Sequence, residues 1–534
     1  MPRTFRSIAC LCLCSVLLLM SGCSNTPTVV LENKATQRSR LIATPAPTLS
    51  NDPAILYKSV LTDKRIVSLV FEGYTDDLSM LAIMEELKKA KVSSIFFLSG
   101  VSASEHPDVV KAIHQAGFVI GNYGINAPKS MEEQDAQANV HQFRRSQELI
   151  EPITGNAPTL FRCNGSIYTK EVLQAASLVG LEAGVEPGVF LNHRSFHQMS
   201  DAQQFVQRLT RGSIITIKLG QELDFSEFNE AKPNMDDIAV DPPPFLSDDM
   251  QSTIINTYAN IVPVVAWLIE ALKADGYAMV SPEELQAYRI AMFDSPTQLD
   301  AKTLAALKPD AYALPATDFP MGLQEHAPKN TNAWSGTVLI GDALTTGVQD
   351  YVQWRRKEAP EYLDGLQFLT SANFGVVSSL MRISSTSDHP QLDGERLLVE
   401  DALAKMKARA VLLMPGLSDV RRYSQEKLID SLKVLIYQIR TKIPGVRIFI
   451  LTIPPGIAKR YGEPTNARIF QYNLAVARFC LEYDVPLIDT AYALRDDQGN
   501  LNEFLCIDPD TAGIHLNDAG NERWIDCLRR FMPF

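Results

Sequence analysis

Ile66-Val67-Ser68-Leu69-Val70-Phe71 is followed by apolar residues at helical spacing over 78–89 (Leu78, Leu81, Met84 with Ile83, and Leu87), and then by Ser94-Ile95-Phe96-Phe97-Leu98. The outer runs are apolar but for Ser68 and Ser94, as strands buried on both faces are. The middle run has the period of an amphipathic helix. Working outward, a helix over 108–116 stops at Gly117, and Phe118-Val119-Ile120-Gly121 reads as a third strand. The alternation continues to Ile214-Ile215-Thr216-Ile217, a helix over 262–274, and Gly276-Tyr277-Ala278-Met279-Val280. Strands alternating with helices of this length imply an α/β fold with a parallel sheet or barrel.

A second α/β unit starts at Thr337-Val338-Leu339-Ile340. Its further strands are Ala410-Val411-Leu412-Leu413-Met414, Arg447-Ile448-Phe449-Ile450-Leu451 and Pro486-Leu487-Ile488-Asp489, and a helix closes it over 518–531. The folded units are expected at 63–288 and 335–534. Residues 289–334, with scattered Pro and weak periodicity, read as a linker with some structure of its own.

The 534 residues are 46% hydrophobic and 21% charged, which excludes a collagen, a long coiled coil and wholesale disorder. The one long apolar run lies at the N-terminus, which excludes a polytopic membrane protein. A net charge of -12 without a Lys/Arg block lacks the footprint of a nucleic-acid binder.

Arg3 and Arg6 precede apolar residues 8–20, the pattern of an export signal. That run ends in Met20-Ser21-Gly22-Cys23, which resembles a bacterial lipobox. The expectation is a signal peptide over 1–22, lipidation at Cys23, a flexible Ser/Thr/Pro/Asn-rich tether over 23–62, and an exported chain anchored to a membrane by lipid. The alternative is a plain signal peptide with an incidental Cys23. Cys163, Cys480, Cys506 and Cys527 remain in the folded part, and the last three leave room for one disulfide. No C-x-x-C pair supports a thiolate zinc site.

Several ordered motifs in the first unit resemble the polysaccharide deacetylases of the NodB-homology group, carbohydrate esterase family 4. They are Ser68–Gly73, Ser94–Gly100, Ala116–Asn122, the segment Gly155, Pro158 and Leu160-Phe161-Arg162, and Gly212-Ser213-Ile214-Ile215. The resemblance implies a (β/α) barrel-like domain with a divalent metal held by Asp, His and His, and a separate Asp as base. Here the base position holds Glu72 and the metal-Asp position Gly73. The paired His positions hold Tyr123 and Ala127, and the final-motif His is Lys218. Arg162 is retained, followed by Cys163-Asn164. None of the expected ligands remains, where a zinc ion needs about three. His106, His114, His141, His193 and His197 are the histidines from which a site would have to be rebuilt. The i, i+4 pair His193 and His197 suits a metal on a helix, and reads otherwise as two loop histidines. Asp76-Asp77 reads as a helix N-cap rather than a ligand pair. Glu72 is either a sugar-binding carboxylate or a structural relic at a strand end.

The second unit resembles an SGNH/GDSL hydrolase, which implies a three-layer α/β/α, flavodoxin-like domain. The motifs are Gly341-Asp342-Ala343-Leu344, Asn373-Phe374-Gly375, Gly416-Leu417-Ser418-Asp419 and Ala512-Gly513-Ile514-His515-Leu516-Asn517. Ala343 stands at the nucleophile, Ala512 at the triad acid and Ser418 at the oxyanion Asn, while the oxyanion Gly375 and the triad His515 are retained. Asp510 is a candidate to orient His515 if the loop shifts, and Thr345 or Thr346 is a poor substitute nucleophile. Losing the nucleophile removes most of the rate, because such residues act as a unit.

Both frames keep strands and turn glycines and lose reactive side chains. The expectation is an envelope lipoprotein of two pseudo-hydrolase domains, without cofactor. It would bind or organise cell-envelope polysaccharide or peptidoglycan, or scaffold a partner. The alternative is an active deacetylase or esterase removing acetyl groups from cell-wall or exopolysaccharide. It would use Glu72 and one divalent metal such as zinc, held by His193, His197 and a carboxylate.

Overall fold

A computed structural model describes residues 52–220, 261–307, 334–459, 462 and 464–531. The readings on residues 1–22 and Cys23, and much of the tether, lie outside the described residues.

The first unit is built on one parallel sheet. Its strands are β1 (Ile55–Tyr57), β2 (Ile66–Glu72), β3 (Ser94–Leu98), β4 (Val119–Asn122), β5 (Leu160–Phe161), β6 (Ala183–Val185), β7 (Val189–Leu191), β8 (Ile214–Lys218) and β9 (Ala278–Met279). The order is β1-β6-β5-β4-β3-β2-β8-β7, with β9 beside the start of β2. No pairing joins β1 to β7 among the described residues, so the barrel-like sheet stays open there.

Every residue of β2 and β3 is buried, which is why their sequences are apolar but for Ser68, Glu72 and Ser94. Side chains alternate between two cores. Leu69, Phe71, Phe96 and Leu98 pack under the helices. Val70, Ile95, Phe97 and Ile214 fill the sheet's other, concave side. Phe96 is stacked on Phe71 at 4.8 Å and meets Phe118 edge-on at 5.8 Å. The helix Asp77–Ala90 buries Met80, Ile83, Met84 and Leu87. Leu78, expected on that face, is 80% exposed, because the buried stripe runs i, i+3, i+4, i+7 from Met80.

Two stretches read as connecting segments are folded. β1, within the expected tether, pairs in parallel with β6. Ile290 and Phe293, within the expected linker, join the second unit's core. Phe293 lies 6.0 Å from Phe479 and 5.3 Å from Tyr483.

The second unit has β10 (Thr337–Gly341), β11 (Leu366–Thr370), β14 (Ala410–Leu413), β15 (Arg447–Leu451) and β16 (Leu487–Ile488), all parallel. An antiparallel hairpin, β12 (Gln391–Leu392) with β13 (Glu395–Arg396), lies apart. The order β11-β10-β14-β15-β16 is that of a flavodoxin-like sheet, whose crevice opens between its first and third strands, β10 and β14. The helix Ala343–Glu358 packs with Asp518–Phe531, and Gln425–Lys442 packs with Asn466–Glu482. Cys163, Cys480, Cys506 and Cys527 are buried and form no disulfide among the described residues. No helix among the described residues is long and apolar enough to cross a membrane.

Phe96→Ala is expected to cost about 3–5 kcal/mol, since the vacated ring volume between Phe71 and Phe118 cannot refill. Gly347→Ala, inside the helix Ala343–Glu358 with open space around the new methyl, should instead add about 0.5–1 kcal/mol. Urea unfolding of both variants against the parent chain checks the pair; a Phe96→Ala cost under about 1 kcal/mol contradicts the packing described.

Candidate functional site

Parallel pairing brings Glu72 and Lys218 together. They are register partners at the last positions of β2 and β8. The two-residue period carries Glu72 to the concave side with Val70, and Lys218 likewise with Ile214. Arg162 follows β5, where its N–H donates to the Asn122 carbonyl at 2.9 Å. From there Arg162 Nε donates to Glu72 Oε2 at 2.6 Å, and Lys218 Nζ lies 3.4 Å from Glu72 Oε1. Glu72 and Arg162 are buried, Arg162 to 1% exposure, while Lys218 is partly open. Phe190 on β7 covers both cations, 4.8 Å from Lys218 Nζ and 5.8 Å from the Arg162 guanidinium carbon. Phe190 is 48% exposed. The result is a carboxylate closed between two cations, with an aromatic face beside them.

The remaining deacetylase positions add no ligand donors of the expected kind. Gly73 takes a positive φ of 83°, and its N–H donates to the Phe97 carbonyl. Tyr123 is buried in the concave core. Ala127 presents its carbonyl to the Asn164 amide. His106 Nδ1 lies 2.8 Å from Asp77 Oδ1, its ring stacked on Tyr74 at 4.2 Å. His114 and His141 sit on two separate helices. His193 and His197 fall in the turn between β7 and the helix Met199–Arg208, not on a helix. Asp76 caps the helix Asp77–Ala90, accepting from Ser79 N–H at 2.9 Å. No three His, Cys, Asp or Glu side chains gather into a metal cluster among the described residues. With both Glu72 oxygens facing cations, this donor set does not fit a divalent ion.

In the second unit, Asp342 ends the turn after β10 and caps the helix Ala343–Glu358. Its carboxylate accepts from Leu344 N–H at 3.0 Å and Leu417 N–H at 2.8 Å, tying the loops after β10 and β14. Ala343 opens the helix. Thr345 and Thr346 both donate their hydroxyls to the Asp342 carbonyl, so neither is poised for attack. Asp419 accepts from Val376 N–H at 2.5 Å and Val377 N–H at 3.4 Å. A Cβ on Gly375 would fall 2.4 Å from Asp419 Oδ1, so this close approach admits only glycine. Ser418 Oγ donates to the Phe374 carbonyl at 3.0 Å.

His515 is oriented, and not by Asp510. Its Nδ1 lies 2.7 Å from Asp508 Oδ2. Asp508 Oδ1 also accepts from the N–H groups of Ile514, at 3.2 Å, and His515, at 3.1 Å. The turn that returns the chain to Asp508 places the acid seven positions before the histidine, so Ala512 leaves no gap. Burial opposes ionisation of Asp508, but the hydrogen bonds from His515 and Cys506 outweigh it and hold the carboxyl below its ordinary range. Asp342 and Asp419 go the other way. Burial is the leading cause at each, raising Asp342 to about 6 and Asp419 to about 7 against their backbone hydrogen bonds; at Asp419 the Asp342 charge adds to the rise. Phe190, Asp419 and Asp508 were not singled out from sequence. Asp419 lies within Gly416-Leu417-Ser418-Asp419, while the other two belong to no motif of either family resemblance.

The family model for polysaccharide deacetylases matches residues 60–184, and that for GDSL-like lipases/acylhydrolases matches residues 339–523. A peptidoglycan-N-acetylglucosamine deacetylase of Bacillus cereus is 30% identical over 100 residues, 19% of this chain and 36% of that protein. A peptidoglycan-N-acetylglucosamine deacetylase of Listeria monocytogenes is 26% identical over 125 residues, 23% of this chain and 26% of that protein. The chain thus spans about a third or less of these curated relatives. A solved structure of a CE4 family pseudoenzyme from Bacillus anthracis is 19% identical, covers 45% of this chain and 71% of its own, and has a TM-score of 0.33.

Glu72→Gln is expected to destabilise the chain by about 3–5 kcal/mol, because it leaves the Arg162 charge buried without its partner. Lys218→Met, at a partly open position, should stay within about 1 kcal/mol. Urea midpoints check both, and equal effects would contradict the ranking. Asp342 and Asp419 bind protons more tightly folded than unfolded, where the ordinary value is 3.8. Their contribution to stability is therefore full below about pH 4, falls as pH rises through about 6 to 7, and levels off above. Asp419→Asn should gain on the parent chain in urea midpoint between about pH 5 and about pH 8. A difference that does not change with pH would refute this.

Proposed function

From a chain that joins a polysaccharide deacetylase domain to a GDSL-like lipase/acylhydrolase domain, we propose an exported lipoprotein, anchored through Cys23, that binds cell-envelope glycan without hydrolysing it. The observation that carries this reading is the closure of Glu72 between Arg162 and Lys218. A general base must have its carboxylate free to take a proton from water, and amide hydrolysis of this type needs a metal to polarise the acetyl oxygen. Here two cations hold the carboxylate, and no metal cofactor is proposed. In the second domain Ala343 has no atom to attack with, so the His515–Asp508 pair has nothing to activate.

What remains of the first site suits binding. Phe190 offers a half-exposed ring beside the Lys218 ammonium. Such a face stacks on a sugar ring and pairs with an acidic substituent next to it. Peptidoglycan, after which the deacetylases of Bacillus cereus and Listeria monocytogenes are named, presents sugar rings and carboxylates together.

Insoluble peptidoglycan should retain the protein lacking residues 1–23 in a saturable manner, and Phe190→Ala and Lys218→Ala should each weaken retention by about fivefold or more. Acetate release from acetylated peptidoglycan and chitin oligomers should stay at background with or without Zn²⁺, Co²⁺ or Mn²⁺. Metal-dependent release that vanishes in Glu72→Ala would replace this reading with that of a rebuilt deacetylase. Retention unchanged in both variants would remove the glycan site.

A further inference from the structure

A second cavity among the described residues lies elsewhere. It holds about 720 Å³ between the two domains, at the N-terminal ends of the first sheet's strands. Arg65 precedes β2, Arg211 precedes β8, and Asp275 and Tyr277 precede β9. Glu72 closes the opposite end of the seven-residue strand β2, about 20 Å away. The facing wall comes from the second domain: the helix Val376–Ser379, the loop after it, and the start of the helix Gln425–Lys442.

The lining runs against the charge of the chain. The protein carries -12 overall, yet five cationic side chains face this cavity against three acidic ones. Arg65 is already committed to Asp275 at 2.6 Å. Arg211 makes no ion pair among the described residues and gives its donors to the carbonyls of Asp63 and Leu380. Lys427 likewise reaches only neutral acceptors, the Leu209 carbonyl at 3.0 Å and Thr210 Oγ1 at 3.1 Å. Burial pushes the Lys427 ammonium down to about 8; Asp430 opposes this and Arg211 adds to it. Arg382, on the loop that also brings the Ser384 and Thr386 hydroxyls to the wall, and Arg422, at the end of the helix Leu417–Arg422, stand exposed at the rim.

We propose that this interdomain cavity binds a compact oxyanion bearing two or more negative charges, held jointly by Arg211 and Lys427 from below and by Arg382 and Arg422 at the rim. Half-buried cations with neutral partners are unfavourable until an anion supplies the missing charge. Guanidinium forks meet phosphoryl and carboxylate oxygens equally well, through short charge-assisted bonds. Clefts between domains are a common place for such sites, because two rigid bodies set opposing donors at a fixed separation. The anion would touch both domains, so its binding would also strengthen their contact.

Isothermal titration calorimetry of the full-length protein in detergent, with inorganic pyrophosphate and with citrate, tests the assignment. At least one should bind saturably below about 1 mM, and the one that binds tells phosphoryl from carboxylate chemistry. The rim double variant Arg382→Ala/Arg422→Ala should weaken binding by about tenfold or more. Arg211→Ala should weaken it further if it folds, and the rim variant decides the matter if it does not. Lys459→Ala, on an exposed ion pair with Glu503, serves as the control and should leave binding unchanged. No saturable heat with either anion, or an affinity untouched in the rim variant, overturns the proposal.

Discussion

A buried charge must find its opposite, and in the first domain that constraint is met by Glu72 and Arg162. The carboxylate sits at the end of a strand whose every residue is buried, and the guanidinium arrives from the turn after β5. Neither charge tolerates such burial alone. Their pairing therefore fixes where β5 ends relative to β2, across the intervening β4 and β3. Lys218 follows from the register of β8, and Phe190 from the strand beside it. The cleft is thus organised by an ion pair and lined by what the sheet delivers next to it.

The second domain meets a related constraint by other means. Its buried carboxylates, Asp342 and Asp419, find backbone N–H groups instead of cations. Amide dipoles stabilise a buried anion less completely than a full positive charge does, which is why burial still raises both carboxyls. These two residues hold the loops around the crevice whether or not a nucleophile stands at Ala343. The loop geometry of a hydrolase and its reactivity are separable for that reason.

The strands were legible because parallel strands covered on both faces leave nearly continuous apolar runs, as in Ile66–Phe71 and Ile448–Leu451. Alternation implied a parallel sheet or barrel and the family resemblances a barrel-like and a flavodoxin-like domain, but not the open edge between β1 and β7 or the strand orders. Less was legible where contacts are remote or the chain is short. Nothing local tells Glu72 that its partner lies 90 positions on. Asp508 was hidden by a motif register that looks three residues before His515, while the turn makes the contact from seven. Phe190 belongs to a three-residue strand without a signature. β1 was masked by the polar composition around it, and Phe293 by a proline-scattered stretch whose docking depends on Phe479 and Tyr483 far away in sequence.

The Leu380 carbonyl accepts from both Arg65 and Arg211, and the carbonyls of Ala274 and Leu209 take Arg382 and Lys427. The seam between the domains is therefore written largely in main-chain oxygen. Substituting the acceptor residues cannot delete these partners; only moving the backbone can. Related chains are free to vary the side chains at positions 380, 274 and 209 while inheriting the same junction. An insertion or deletion of a single residue in the loop after Val376–Ser379 would disengage two arginines at once. Length in that loop, more than identity, is the trait to compare when the two domains are found together or apart.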